Sequence, residues 1–385
     1  MEPALKFGID EFLKQASSFE GYRTAIVCNK ASQTADGIPS YKACLKSGIQ
    51  IVTIFSPEHG FDASGEDGVY QHDSSDEEFH IPVISLYGNS LKPGSKSLQN
   101  IDLVLIDLQE IGCRFYTYLW TMTYVMEACM ANKIQCIILD RPNPLSGNFE
   151  LAEGPFLDEL NCSSFIGRFS IPIRHSCTLG ELALYFRDRR FPDLDLDIMK
   201  MQGWTRDQYN RIIHYPTSPA IRKFEIVLMY PGLGLLEGIQ INEGRGTDTP
   251  FLKFGSPFLH GLEIIENLNR VQLNGLRLHP TEYIPEDGIY HHEVCRGVEI
   301  EIMNHRAIKP VQFGIQLIHT LIRLYPHKII PRLYPTLANP TGENHLDRLL
   351  GVQDSFKHLS TDIQMVHEIS DQWQTTVHPY LLYGS

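Results

Sequence analysis

The sequence lacks long uncharged segments and an excess of positive charge, and each absence excludes a class of protein. No uncharged run exceeds fourteen of the 385 residues. A transmembrane helix needs about 20 apolar residues, so we expect no membrane insertion. The 33 Lys and Arg residues are outnumbered by 46 Asp and Glu residues, which gives a net charge of −13. Because phosphate binding needs a basic surface, nucleic acid is excluded as the main partner.

Paired cysteines are also missing, since the eight cysteines are scattered and form no Cys-x-x-Cys motif. Several of them, such as Cys28 and Cys136, lie in apolar runs, so we predict buried free thiols rather than disulfides or a zinc site. Free thiols are typical of a reducing compartment. The first residues contain no apolar segment of a signal peptide. The sequence thus predicts a cytoplasmic protein, or a periplasmic or secreted one if a signal has been removed.

Apolar runs alternate with helical patterns through the first half of the chain. Runs rich in β-branched residues predict strands at 23–29, 50–55, 82–86, 101–108 and 136–139, with a further strand at 194–199. Apolar residues spaced three and four apart predict an amphipathic helix over 115–133. Shorter helices are predicted near 40–46 and ending near 187. Such alternation is typical of an α/β fold with a mostly parallel sheet.

The pattern changes after about residue 205, where prolines punctuate 215–219 and Pro231-Gly232 follows. We place a boundary near residue 222, which divides the chain into domains 1–222 and 223–385. The second domain is predicted to contain a strand at 297–303, a helix at 311–324 and a closing helix at about 360–373.

Polar side chains follow three predicted strands at the point where each strand ends. They are Glu58 and His59, then Asp107, and then Asp140, Arg141 and Asn143. Ligands of open parallel sheets bind beyond these strand ends, so a site is expected here. Glu58 favours a functional role, because turns usually prefer Asp, Asn or Gly. Asp107 and Asp140 could equally cap helices or pair with arginine, and His59 could simply satisfy a turn.

The second half offers Glu237 and a Gly-Arg-Gly loop around Arg245, flanked by Glu243 and Asp248. Such a loop suits a backbone that approaches a ligand closely, although a tight turn with a surface ion pair would have the same pattern. The sequence has no Walker loop, GxSxG elbow or HExxH motif.

Nine motifs then follow one another in a distinctive order. They are SPEHG (56–60), SLYG (85–88), DLQEIGCRFYTY (107–118), LDRPNP (139–144), EGP (153–155), IPIRHSCTLGELA (171–183), YPG (230–232), EGRGTDTPF (243–251) and YLLYG (380–384). Together they resemble the exo-β-N-acetylmuramidase family over nearly the whole chain. The resemblance implies a Rossmann-like N-terminal domain, a smaller C-terminal α/β domain and an active site in the cleft between them.

The resemblance also implies hydrolysis of β-linked N-acetylmuramic acid at the non-reducing end of peptidoglycan fragments. It assigns the catalytic glutamate to Glu58, and we expect His59 to position it without a metal or organic cofactor. A second carboxylate usually assists such hydrolysis, and the candidates are Asp107, Asp140, Glu237 and Glu243. The lactyl carboxylate of the sugar would be bound by Arg141, Arg174, His175 or Arg245. Asn143 is a further candidate for substrate binding.

Two other hypotheses stay open. Ala220, Ile239 and Gln240 replace hydroxyl or amide side chains in family loops expected to contact the sugar. These changes favour a muropeptide-binding or sensing protein without turnover. A metal-assisted hydrolase using His59, Asp62 and Asp107 is the other alternative.

Overall fold

The computed structural model describes residues 4–209, 215–268, 273–362 and 371–384. Its largest element is a seven-stranded sheet in the first half of the chain. The strands are β1 (Arg23–Val27), β2 (Gln50–Ser56), β3 (Ser74–Ser75), β4 (Pro82–Ser85), β5 (Leu103–Ile106), β6 (Gln135–Leu139) and β7 (Leu196–Met199). They lie in the order β3-β4-β2-β1-β5-β6-β7, and each neighbouring pair is parallel except β3 with β4.

Without the short edge strand β3, this is the strand order of the Rossmann fold. The chain crosses from one side of the sheet to the other between β4 and β5, so the ends of β1 and β5 flank the crevice where such folds bind ligands. The apolar run of β5 is completely buried, as expected for a parallel strand covered on both faces. The predicted α/β class and all six predicted strands are confirmed.

The helices of the first half are α1 (Gly8–Leu13), α2 (Ser40–Lys46), α3 (Tyr118–Asn132) and α4 (Leu179–Arg190). The prediction for α3 was wrong in two respects. The helix begins at Tyr118 rather than Phe115, and it is buried on most sides rather than amphipathic, since Thr121 and Thr123 are as inaccessible as Trp120. Residues 115–117 lie in the segment before α3.

The described residues of the second half form a three-stranded antiparallel sheet in the order β8-β10-β9 and six α-helices. The strands are β8 (Lys253–Ser256), β9 (Leu276–Tyr283) and β10 (Cys295–Ile302), and the helices are α5 (Phe224–Leu233), α6 (Gly261–Asn267), α7 (Pro310–Leu324), α8 (His345–Leu350), α9 (Ser355–Thr361) and α10 (Asp371–Val377). The strand and helix predicted at 297–303 and 311–324 are β10 and α7. The helix predicted at 360–373 falls partly on residues 363–370, outside the described residues.

One hydrophobic cluster extends through both halves, from Val104 in β5 to Val227 in α5 and Leu317 in α7. The boundary predicted near residue 222 therefore stays a prediction. All eight cysteines lie in the described residues, and each is a buried free thiol, as predicted. Within the described ranges, no helix has the length and apolar character needed to cross a membrane.

Close packing of α5 against α7 gives a direct test of this core. A Cβ atom added at Gly232 would lie 1.9 Å from the carbonyl oxygen of Pro310. We expect Gly232→Ala to lower the free energy of unfolding by about 1–3 kcal/mol, because the overlap forces the helices apart. Urea denaturation would measure the loss. Gly94→Ala is the matched control, since nothing lies within 4 Å of its added Cβ. Equal stability of the two variants would contradict this packing.

Candidate active site

A cavity lies beyond the carboxyl ends of β2, β4 and β5, where loops of the first half meet residues of the second half. It encloses about 760 Å³, including the part open to solvent. Its polar and aromatic lining includes Glu58, His59, Asp67, Tyr87, Tyr116, Phe165, Tyr230, Glu237, Arg245, Phe251, Tyr334, His345 and Arg348. Aromatic walls with a few converging charged groups are typical of small-molecule sites.

Glu58 reaches this cavity because β2 ends at Ser56 and Pro57 directs the chain away from the sheet. The side chain is only 6% exposed. Its Oε1 accepts a hydrogen bond from the backbone N–H of Gly68 at 2.8 Å. Burial and the nearby charge of Glu58 raise the pKa of Tyr87, so that phenol stays protonated. Glu58 is therefore a buried carboxyl group with a backbone donor beside it.

His59 contacts the loop that follows Glu58. Its Nδ1 lies 2.8 Å from the carbonyl oxygen of Gly65 and must donate to it, because a carbonyl can only accept. The Nε2 atom then faces Asp67, 3.6 Å from its Oδ1. His59 also has a φ of 69°, a left-handed conformation that is uncommon outside glycine. These contacts hold the 65–68 segment, whose Gly68 N–H binds Glu58.

Arg245 is the centre of the charged groups in the cavity. Its guanidinium pairs with Asp67, lies 2.7 Å from Oε1 of Glu237 and lies 3.1 Å from Oε1 of Glu243. One guanidinium thus joins a carboxylate of the first half to two carboxylates of the second. On its far side, Oε2 of Glu243 lies 3.5 Å from Arg332.

The pKa values of the two glutamates in this network are shifted in opposite directions. Burial alone would raise the pKa of Glu237, but Arg245 and His345 lower it to about 2. Burial raises the pKa of Glu243 more than Arg332 and Arg245 lower it. The network therefore favours the charged form of Glu237 in the cavity. The ring of His345, 3.7 Å from Glu237, stacks on Tyr334 with 4.5 Å between centroids.

Of the predicted site residues, Glu58, His59, Glu237 and Arg245 line the cavity, and Glu243 supports it through Arg245. The other predicted residues lie outside this lining. Arg141 forms a two-pronged ion pair with Asp107, at 2.6 and 2.9 Å, and Arg174 pairs with Glu153 at 3.3 Å. Because these arginines already have protein carboxylates, their contacts account for their burial. Their predicted role in substrate binding stays a prediction.

Three more predicted residues have similar internal partners. Nε2 of His175 lies 3.5 Å from Glu110, while Nδ2 of Asn143 donates to the carbonyl oxygen of Cys177 at 2.9 Å. Asp140 accepts hydrogen bonds from Thr178, Gly180, Tyr383 and the N–H of Arg141. Burial raises the pKa of Asp140 to about 7, although the bonds from Tyr383, Gly180 and Thr178 lower it.

The residues that differ from the family pattern lie only partly at the cavity. Ala220 lines it. Ile239 is completely buried and its backbone pairs with Pro331, so this change concerns packing rather than a sugar contact. The residues of the metal hypothesis have separate partners, since Asp62 binds Lys30 and Asp107 binds Arg141. Among the described residues, no group of three His, Cys, Asp or Glu side chains is arranged to hold a metal.

Several lining residues were missed by sequence reasoning, above all Asp67, Tyr87, Tyr334, His345 and Arg348. Asp67 lies in a loop punctuated by Gly60, Gly65 and Gly68, which was a usable signal that the backbone approaches another segment there. Tyr87 lies in the SLYG motif, to which no role was assigned, and the others belong to segments outside the nine motifs.

Comparison with known proteins gives concordant matches. The family model described as "Exo-beta-N-acetylmuramidase NamZ, N-terminal" matches residues 24–225, and its C-terminal counterpart matches residues 228–383. The peptidoglycan beta-N-acetylmuramidase NamZ of Bacillus subtilis (strain 168) is 35% identical over 330 residues, which cover 84% of this chain and 79% of that protein.

Two crystal structures of DUF1343 family proteins from Bacteroides fragilis have the same fold. One superimposes with a TM-score of 0.84 at 26% identity, covering 98% of this chain and 99% of the other. The second has a TM-score of 0.75 at 24% identity, covering 100% of both chains.

The raised pKa of Asp140 predicts a pH-dependent stability. The pKa is about 7 in the folded protein and about 4 in an unfolded chain. The folded state thus binds the proton on the Asp140 carboxyl group more tightly than the unfolded state does. The stabilisation that this proton contributes is lost as the pH rises from about 4 to about 7. Asp140→Asn removes this contribution, so the variant should gain stability relative to wild type across that window.

Urea unfolding at several pH values would measure this difference, with Asp193→Asn at an exposed position as the control. A constant difference between Asp140→Asn and wild type over the window would show that the proposed cause is wrong.

Removing Arg245 should destabilise the whole cavity. We expect Arg245→Gln to cost about 3–5 kcal/mol of unfolding free energy, because it leaves buried carboxylates without their cation. The loss should shrink at low pH, since protonation then removes the repulsion between Asp67, Glu237 and Glu243. Arg296→Gln, which breaks an exposed pair with Glu282, should cost at most about 1 kcal/mol. Similar losses for both variants, measured by denaturation, would rule out this central role.

Proposed function

This chain belongs to the exo-beta-N-acetylmuramidase NamZ family, and we propose that the cavity beside Glu58 is its active site. The chain is a glycoside hydrolase that removes terminal β-linked N-acetylmuramic acid from peptidoglycan fragments. The observation that supports the site is the burial of the Glu58 carboxyl group at a strand end, in the cavity that also contains the charged Glu237.

Glu58 is the proposed general acid. Its proton passes to the glycosidic oxygen as the bond from that oxygen to the anomeric carbon breaks, so the remaining saccharide leaves as a neutral alcohol. Water then adds to the anomeric carbon and gives its proton to the Glu58 carboxylate, which restores the acid. The N–H of Gly68 holds the carboxyl group in place.

Glu237 is the proposed second carboxylate, and it acts through its charge. Bond breaking develops positive charge on the sugar ring, which a nearby carboxylate stabilises. Since Arg245 keeps Glu237 ionised, the negative charge is present before the substrate arrives. Of the four carboxylates that the sequence offered for this role, Glu237 is the one that lines the cavity.

The substrate is a muropeptide or a disaccharide with N-acetylmuramic acid at its non-reducing end. Tyr116, Tyr230 and Phe251 supply apolar faces that suit a sugar ring in the cavity. We also propose a reducing compartment as the site of action. The eight buried free thiols support it.

Substitution of Glu58 tests the proposal. We expect Glu58→Gln to lower the turnover of a β-linked N-acetylmuramic acid–N-acetylglucosamine disaccharide by about 10²- to 10⁴-fold, because the amide has no acidic proton to give. Glutamine keeps the size of the side chain and an acceptor for Gly68. Release of free N-acetylmuramic acid would be followed by chromatography.

Glu20→Gln is the matched control, since Glu20 is exposed in a turn before β1. Wild-type and chelator-treated enzyme should release the sugar equally. Activity that is lost with chelator and restored by a divalent ion would favour metal-assisted hydrolysis. Saturable binding by wild type without any release would favour a sensor.

A further inference from the structure

The cavity must bind an anionic sugar, although carboxylates outnumber arginines in its lining. Glu58, Asp67 and Glu237 face two arginines, Arg245 and Arg348. N-acetylmuramic acid differs from N-acetylglucosamine by a lactyl ether on O3, which ends in a carboxylate. Selective binding of muramic acid therefore needs a cation that no protein carboxylate already neutralises.

Arg245 does not meet this requirement. Its guanidinium is shared among Asp67, Glu237 and Glu243, so the charge around it is already negative. The cations predicted from sequence do not meet it either. Arg141 and Arg174 are bound to Asp107 and Glu153, and neither lines the cavity.

Arg348 does meet it. Its side chain is partly exposed, and it forms no ion pair with any residue that the structure describes. It lies in α8 three residues after His345, so both side chains project from one face of the helix, and both line the cavity. Phe165 and Ile166 belong to the lining of the same cavity.

We propose that Arg348 binds the lactyl carboxylate of N-acetylmuramic acid and makes the site selective for this sugar over N-acetylglucosamine. The inference rests on the proposed function. The planar guanidinium can donate two parallel hydrogen bonds to a carboxylate. Phe165 and Ile166 suit the methyl group of the same lactyl ether.

Binding of the free sugars tests this role without requiring catalysis. Calorimetry or ligand-observed NMR would compare N-acetylmuramic acid with N-acetylglucosamine on wild type, Arg348→Gln and Arg348→Lys. We expect Arg348→Gln to weaken binding of N-acetylmuramic acid roughly 10- to 100-fold, as loss of a charge-assisted hydrogen bond does, and to leave N-acetylglucosamine unchanged. Arg348→Lys should recover part of the affinity, because it keeps the charge but not the two-pronged geometry.

Arg323→Gln is the matched control, since Arg323 is an exposed arginine in the last turn of α7 and lies outside the cavity lining. It should bind both sugars as wild type does. Equal weakening of both sugars by Arg348→Gln, or unchanged binding of N-acetylmuramic acid, would overturn the inference.

The disaccharide assay separates this inference from the proposed function. Normal release of N-acetylmuramic acid, with selectivity unaffected in Arg348→Gln, would overturn the role of Arg348 alone. Arg348-dependent binding by a wild-type protein that releases no sugar would overturn the proposed function and support the inference. Failure of wild type to bind or release N-acetylmuramic acid would overturn both.

Discussion

The ion pairs of Arg245 are the interaction on which the rest of the cavity depends. A single guanidinium joins Asp67, which follows β2, to Glu237 and Glu243 from the second half of the chain. Such a cluster is stable only while it is complete, because each carboxylate left alone would be a buried charge. The same arginine lowers the pKa of Glu237 and thereby fixes its charge. The ion pairs that join the two halves of the chain therefore also set the charge of Glu237 in the cavity.

Outside the lining of the cavity, a group of buried polar contacts supports the strand ends. Asp107 binds Arg141, Glu153 binds Arg174, and Asp140 accepts four hydrogen bonds. Loops with this many buried polar groups must satisfy them internally, since unpaired ones are costly. The motifs around these residues are therefore explained by architecture as well as by chemistry.

The sheet was predictable because each parallel strand is a short apolar run between turns, and that pattern is local. Glu58 and Arg245 were predictable for the same reason, since each stands in a loop whose local sequence is unusual. His345 and Arg348 were not, because their importance arises from contacts between segments far apart in the chain. Arg141 and Arg174 show the converse. The sequence reveals each cation but not that a protein carboxylate already pairs with it. The amphipathic pattern of α3 failed because both of its sides are covered.

The backbone contacts of Gly68 limit how this activity can be transferred to another protein. Its N–H binds Glu58, and its carbonyl oxygen accepts a hydrogen bond from Leu337 in the second half. There is also no room for a side chain, because an added Cβ would lie 2.7 Å from Thr336. The acid is therefore held by a backbone unit that is itself held from the other end of the sequence. If a segment containing Glu58 and its neighbours were grafted into another protein, the acid would be present. The contacts from the second half that align it would be missing.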